Sequence, residues 1–102
     1  MINQNNNFEI CVRAVIQQNE KILVCKEKGK GYYFLPGGHL EFGEKVQETL
    51  FRELREELNV SLKKCKFIGV VENVYVGDSK THHEINLVFE TEVDKIFTQS
   101  QE

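Results

Sequence analysis

The chain has 102 residues, of which 40% are hydrophobic and 28% are charged, and its formal net charge is −3. This size and composition predict one globular domain over residues 1–102, with residues 1–7 as a disordered tail. The sequence contains no run of eighteen apolar residues and no basic segment followed by an apolar core, so we expect neither a membrane span nor a secretory signal. The negative net charge argues against general nucleic-acid binding.

The cysteines indicate a compartment rather than a site. Cys11, Cys25 and Cys65 are an odd, widely spaced set without a C-x2-C pair, which argues against zinc binding. Cys11 and Cys25 lie in apolar runs and are expected to be small buried residues. Because nothing suggests a disulfide framework, we expect a cytoplasmic protein.

The first third of the chain predicts short β-strands. Residues 8–16 (FEICVRAVI) are rich in β-branched and aromatic residues, and residues 21–26 (KILVCK) are predicted to return beside them as a hairpin. Arg13 interrupts the first strand, where it either points to a phosphate or faces solvent. Lys28 and Lys30 lie in a basic loop at residues 27–31 and either contact an anionic substrate or are solvated.

Residues 32–34 are predicted to form a short aromatic strand that leads into a Pro-Gly-Gly turn, followed by an amphipathic helix at residues 44–58. Four aliphatic side chains recur every fourth residue and form one apolar stripe, namely Val46, Leu50, Leu54 and Leu58. Three carboxylates flank the stripe, namely Glu53, Glu56 and Glu57. Two such groups ~5 Å apart repel by about 3 kcal/mol at an effective dielectric of ~20. They are therefore either solvated on an exposed face or share a hard divalent cation.

The spacing of this segment matches a known pattern. Read as G-x5-E-x7-R-E-U-x-E-E-x-G-U, with U aliphatic, residues 38–60 resemble the Nudix box of the Nudix hydrolase family at eight of nine specified positions. The departure is Asn59, which replaces the second glycine. We expect Asn59 to end the helix in the left-handed conformation, which asparagine tolerates.

The resemblance implies an α+β fold, a mixed β-sheet with the loop-helix unit of the box packed on one face. It implies a Mg²⁺-dependent enzyme, with Mn²⁺ as an alternative, that cleaves the pyrophosphate of a nucleoside diphosphate linked to another moiety X. Glu56 and Glu57 are then the expected metal ligands, and Glu53 is a further ligand or the general base. The carbonyl of Gly37 is expected to join the metal shell.

The role of Arg52 remains open between two partners. It either orients Glu53 by a charge-assisted hydrogen bond or pairs with Glu44, although eight residues separate the two on one continuous helix. Glu44 is expected to lie near the first turn of the helix, where a negative charge favours the helix dipole.

The last third predicts an antiparallel pair of strands at residues 61–76 and 81–92, joined by a turn at 77–79. Similar Nudix proteins carry a glutamate outside the box that contacts metal or acts as the base. Glu84 is the candidate, and the alternative is a strand residue that faces solvent. Domains of the family usually continue into a further strand and a C-terminal helix, and the residues after 92 are too few for both. Either the chain is shortened or a second copy covers the exposed sheet. We therefore expect a homodimer or higher assembly, or else poor behaviour in solution.

Two other functions fit the same residues. One is a Nudix-like module that binds a small-molecule nucleotide without hydrolysis. The other is a non-enzymatic domain whose acidic helix contacts a basic partner. Intact Glu53, Glu56 and Glu57 argue against the binding module, whereas the short C-terminal region argues for it. A metal titration separates the interaction domain from the other two.

Overall fold

A computed structural model describes residues 7–29 and 31–98. In chain order the elements are β1 Phe8–Val15, β2 Gln17–Gln18, β3 Lys21–Ile22, β4 Cys25–Lys26, β5 Tyr33–Phe34, β6 Gly37–His39, α1 Val46–Leu58, β7 Leu62–Gly77 and β8 Lys80–Val93. Lys30 and residues 1–6, which make up most of the predicted tail, lie outside the described residues. Within these ranges, no helix has the length and apolar character needed to cross a bilayer.

One four-stranded mixed sheet organises the fold, in the order β6-β1-β8-β7. β1 runs parallel to β8 and antiparallel to β6, and β8 runs antiparallel to β7. With α1 on one face, this arrangement confirms the predicted α+β class with a mixed sheet. The predicted antiparallel return at the end of the chain is also confirmed, and its turn uses positive φ angles at Asp78 (55°) and Ser79 (60°).

The predicted hairpin at the start of the chain is wrong in its extent. Only β2 and β3 pair across the turn, two residues on each side. β4 pairs instead with β5. The reason is that both edges of β1 are occupied, one by β6 and the other by β8. No edge of β1 remains for residues 21–26.

The helix packs against β1 through its apolar stripe. Leu50 and Leu54 are fully buried, and Val46 and Leu58 are half-buried beside them. Their buried partners on the sheet are Val12, Ala14 and Phe89. Each buried leucine contributes about 1.5–3 kcal/mol through removal of apolar surface from water. The structure therefore confirms the predicted apolar stripe as the face of the helix that packs against the sheet.

Both ends of the helix are defined by local hydrogen bonds. It begins at Val46, two residues later than predicted, and the Lys45 backbone N–H donates to Glu48 Oε1 at 2.7 Å. It ends at Asn59, whose φ of 54° and ψ of 43° are left-handed. The Asn59 N–H donates to the carbonyl of Arg55 at 3.1 Å. Asn59 therefore ends the helix as its sequence position predicts.

Candidate functional site

Arg52 lies at the centre of a group of carboxylates. Its Nε and Nη2 atoms donate to the two carboxylate oxygens of Glu44, at 2.9 and 3.0 Å, and its Nη1 donates to Glu53 Oε2 at 2.8 Å. Both partners expected for Arg52 are therefore used at once. This is possible because Glu44 lies near the first turn but outside α1, which begins at Val46 rather than at the predicted residue 44.

Glu44 is held ionised by this contact. The Arg52 guanidinium, together with a 2.6 Å hydrogen bond from Thr49 Oγ1, lowers the pKa of Glu44 to about 2. The same contact raises the pKa of Arg52. Glu44 thus fixes the guanidinium, and the fixed guanidinium orients the Glu53 carboxylate.

The Glu53 side chain extends towards β6, and its carboxylate lies against Gly38. Its side chain is 16% exposed, and a Cβ added at Gly38 would lie within 2.7 Å of Glu53 Oε2. No carbon atom can approach an oxygen so closely without displacing it. Gly38 is therefore required by the position of the carboxylate next to the strand.

Glu57 contacts the Pro-Gly-Gly turn. The backbone N–H of Gly37 donates to Glu57 Oε1 at 2.8 Å. Burial raises the pKa of Glu57, and the negative charge of Glu53 adds to that effect. A carboxylate that is costly to ionise in the free protein gains more than a solvated one when a cation neutralises it. The structure thus assigns the Gly37 N–H to Glu57, and the role of its carbonyl in a metal shell stays a prediction.

Glu56 completes the acidic edge of α1, which consists of Glu53, Glu56 and Glu57. It is 58% exposed and lies 3.4 Å from Arg52 Nη1. Three carboxylates, Glu44, Glu53 and Glu56, thus share one guanidinium, and Glu57 lies outside this group, which leaves negative charge uncompensated. Oxygen donors with excess negative charge suit a hard divalent cation, so these residues fit the metal that the box implies. Among the described residues, Glu53, Glu56 and Glu57 do not approach one another as a trio within 4.8 Å.

Arg13, Lys28 and Lys30 are the residues expected to contact substrate, and the structure describes the first two. Arg13 is not a solvent-facing strand residue, because its Nε donates to Asn86 Oδ1 at 3.2 Å and its Nη1 donates to the Leu35 carbonyl at 3.1 Å. Its positive charge acts on Glu57 and opposes the rise in that pKa. Lys28 lies exposed in its loop. Lys30 is outside the described residues. Of the two described candidates, Arg13 is the one whose charge acts on the acidic edge.

Glu84 is buried rather than exposed, so the solvent-facing alternative is wrong. Its side chain is 7% exposed, and its oxygens accept hydrogen bonds from Tyr75 Oη at 3.1 Å and from Asn86 Nδ2 at 3.5 Å. Glu84 lies with Cys11 and His39, one ligand atom of each within 4.8 Å of the others. Local spacing carries no signal for this cluster, because its three residues come from three strands.

An open cleft of about 440 Å³ adjoins the start of the box. It lies between the first residues of β1 and the loop that leads to the helix, and His39, Glu41 and Glu44 are among its lining residues. Glu44 thus connects this cleft to Arg52.

Comparison with known proteins identifies relatives of this sequence. The NUDIX domain family model matches residues 8–102. An ADP-ribose pyrophosphatase from Methanocaldococcus jannaschii is 35% identical over 83 residues, which cover 78% of this chain and 48% of the relative. Phosphatase NudJ from Escherichia coli K12 is 32% identical over 89 residues, which cover 85% of this chain and 56% of the relative. The chain spans about half the length of these relatives.

Solved structures show the same fold. A MutT NUDIX hydrolase from Burkholderia pseudomallei superposes with a TM-score of 0.75 at 22% identity, covering 88% of this chain and 71% of that protein. A MutT protein from Bacillus halodurans gives a TM-score of 0.71 at 22% identity, covering 85% and 58%. The fold, the acidic edge of α1 and the match over residues 8–102 agree, and the chain belongs to the Nudix hydrolase family.

Proposed function

We propose that this chain is a divalent-metal-dependent pyrophosphohydrolase that acts on a nucleoside diphosphate linked to another moiety. The observation that carries the proposal is the Glu57 carboxylate, which accepts a 2.8 Å hydrogen bond from the Gly37 N–H and lies close enough to Glu53 and Glu56 for their charges to raise its pKa. The activity in the name of the Methanocaldococcus jannaschii relative supports this substrate class and makes ADP-ribose the first compound to assay.

Each residue of the acidic edge has a part in this chemistry. Glu53, Glu56 and Glu57 would hold Mg²⁺ or Mn²⁺, which neutralises phosphate oxygens and lowers the pKa of a bound water. Arg52 positions Glu53 through the 2.8 Å hydrogen bond, and Glu44 fixes Arg52. Glu53 is thereby oriented either to bind the cation or to accept a proton from the attacking water.

Arg13 is the proposed phosphate-binding residue of the described chain. Its guanidinium is held by Asn86 and by the Leu35 carbonyl, so little side-chain freedom remains to be lost on binding an anion. It lies near enough to Glu57 to act on its pKa. Lys28, which is exposed, and Lys30 remain proposed contacts to an anionic substrate.

The experiment that tests the function is Glu57→Gln assayed for phosphate-bond cleavage on ADP-ribose and a panel of nucleotide diphosphate derivatives. Glutamine keeps the acceptor for the Gly37 N–H but removes the charge, so hydrolysis under saturating Mg²⁺ should fall by about 10²-fold or more. Glu90→Gln, which removes an exposed charge on β8, should leave the rate unchanged.

The panel also separates the alternatives. A wild-type rate in Glu57→Gln would contradict the proposed role of the box. Nucleotide binding without cleavage by the wild-type protein would favour the binding module. An interaction helix would show neither cleavage nor a preference for Mg²⁺ over monovalent salt.

We also propose that the chain forms a homodimer through β7. This strand is the last in the order of the main sheet, and its apolar side chains are exposed, with Val74 at 57% and Val76 at 75%. A long apolar edge strand presents unpaired backbone groups that another strand can bind. A second copy of β7 paired at this edge would extend the sheet and place its own apolar side chains beside Val74 and Val76.

A cytoplasmic location is the corresponding proposal for the compartment. It is supported by Cys11, Cys25 and Cys65, which are all free thiols. Free thiols of this kind are typical of a reducing compartment.

A further inference from the structure

Three strands bring a thiol, an imidazole and a carboxylate together on the main sheet. Cys11 of β1 is paired in register with His39 of β6, and Glu84 belongs to β8 on the other side of β1. One ligand atom from each lies within 4.8 Å of the other two. Since successive strand residues point to opposite faces, Cys11 lies on the face opposite Val12, which packs against the helix. The cluster therefore lies on the sheet face opposite α1, beside Arg13, which also acts on Glu57.

The donor set has the chemistry of a zinc ligand shell. Thiolate, imidazole and carboxylate are the ligands that bind Zn²⁺, whereas Mg²⁺ prefers oxygen alone. With bonds of 2.0–2.3 Å, tetrahedral ligand atoms stand about 3.3–3.8 Å apart, so a contraction of at most about 1.5 Å would close the site. One thiolate and one carboxylate neutralise a divalent charge, and water can occupy the fourth position.

His39 has the contact to a carboxylate that metal-binding histidines commonly make. Its Nε2 lies 2.8 Å from Glu9 Oε1, which leaves the other ring nitrogen available. A carboxylate that holds the second nitrogen of a ligating histidine fixes the ring and raises its basicity. Glu9 is itself held by His82 Nδ1 at 2.7 Å, and the bond to His39 lowers the pKa of Glu9.

Glu84 supplies the strongest reason for a cation. Its buried carboxylate accepts only neutral donors, Tyr75 and Asn86, and it forms no ion pair within residues 7–29 and 31–98. A bound divalent cation would supply the charged partner that Tyr75 and Asn86 do not. Arg13 lies near Cys11, where its charge favours the thiolate that a metal needs.

We propose that Cys11, His39 and Glu84 form a second metal site, selective for a borderline-soft divalent cation of the Zn²⁺ type. The occupied site would join β6, β1 and β8, and β6 begins at Gly37, the residue that binds Glu57. The proposal does not depend on the hydrolase activity. A thiol must lose its proton to bind a metal, so binding should release a proton and strengthen as pH rises.

Co²⁺ titration of the metal-free protein tests this site, because a cobalt–thiolate bond absorbs in the near ultraviolet. We expect one equivalent to produce the absorption, Zn²⁺ to abolish it and excess Mg²⁺ to leave it unchanged. Cys11→Ser should remove the absorption, and the matched variant Cys25→Ser should keep it. His39→Gln alters a side chain that is 62% exposed, so it should fold normally and weaken Co²⁺ affinity by about 10–100-fold.

Two results would overturn the proposal. One is an absorption that survives in Cys11→Ser or is unchanged in affinity in His39→Gln. The other is the absence of thiolate absorption in the folded wild-type protein. Glu57→Gln keeps all three proposed ligands and should titrate as wild type, so failure of this site and failure of the hydrolase proposal are separate outcomes.

Discussion

Substitution of Gly38 by alanine is the sharpest available perturbation of the acidic edge. The new methyl group would occupy the place of the Glu53 carboxylate, within 2.7 Å of its Oε2 position. Gly38 lies in β6 without the positive φ that makes Gly37 (φ 142°) intolerant of a side chain. The backbone can therefore stay in place, and the end of the Glu53 side chain has to move.

The expected cost to stability is small. Moving Glu53 breaks its 2.8 Å hydrogen bond from Arg52, a charge-assisted contact of about 1.5–3 kcal/mol when well shielded. Arg52 is 27% exposed and keeps its contact with Glu44. Loss of the hydrogen bond to Glu53 should therefore lower the free energy of unfolding by about 1 kcal/mol. Alanine recovers about 0.4–1 kcal/mol by restricting the unfolded chain. The net change in the free energy of unfolding should stay below about 1 kcal/mol.

The effect on metal binding should be larger. If Glu53 is a ligand or orients the attacking water, its displacement should lower metal affinity or the hydrolysis rate by about 10–100-fold. A tenfold loss of affinity removes about 1.4 kcal/mol of the stabilisation that saturating metal confers. The rise in thermal midpoint on addition of Mn²⁺ should shrink accordingly.

The assay combines a denaturant titration without metal, thermal melts with increasing Mn²⁺, and hydrolysis of the best nucleotide substrate. Gly31→Ala is the matched control, because a Cβ there meets nothing within 4 Å. Wild-type metal response and rate in Gly38→Ala would refute the placement of Glu53 in the site. A loss of several kcal/mol in metal-free stability would refute the view that only a side chain has to move.

Two further predictions concern pH and assembly. The raised pKa of Glu57 means that its contribution to metal-free stability is present below the ordinary value of 4.5 and is lost as pH rises through the folded value. Denaturant titrations between about pH 4 and about pH 8 should therefore show wild type losing stability relative to Glu57→Gln as pH rises, and equal slopes would contradict the burial of this charge. In sedimentation, wild type should form a dimer that Val74→Lys converts to monomer, while Ile22→Lys, an equally exposed site on β3, should remain dimeric. A wild-type protein that stays monomeric over a wide concentration range would rule out the β7 interface.

The sequence determined those features that depend on residues close together along the chain. The stripe that contains Leu50 and Leu54 follows from a period of about 3.6 residues, which places both on one face of any helix. Asn59 marks the helix end because few other residues tolerate the left-handed conformation. The β7–β8 pairing was predictable for the same reason, since a tight turn joins two apolar strands and sets their register.

The tertiary structure alone decided which distant residues meet. Periodicity shows which face of a strand a residue occupies but not which strand lies next to it, so the parallel pairing of β1 with β8 was invisible. That pairing joins Arg13 to Asn86, 73 residues apart, and brings Glu84 to Cys11 and His39. Spacing carries information only on ligands that are close in sequence, whereas a sheet can bring together side chains from several strands, as in the proposed site of Cys11, His39 and Glu84.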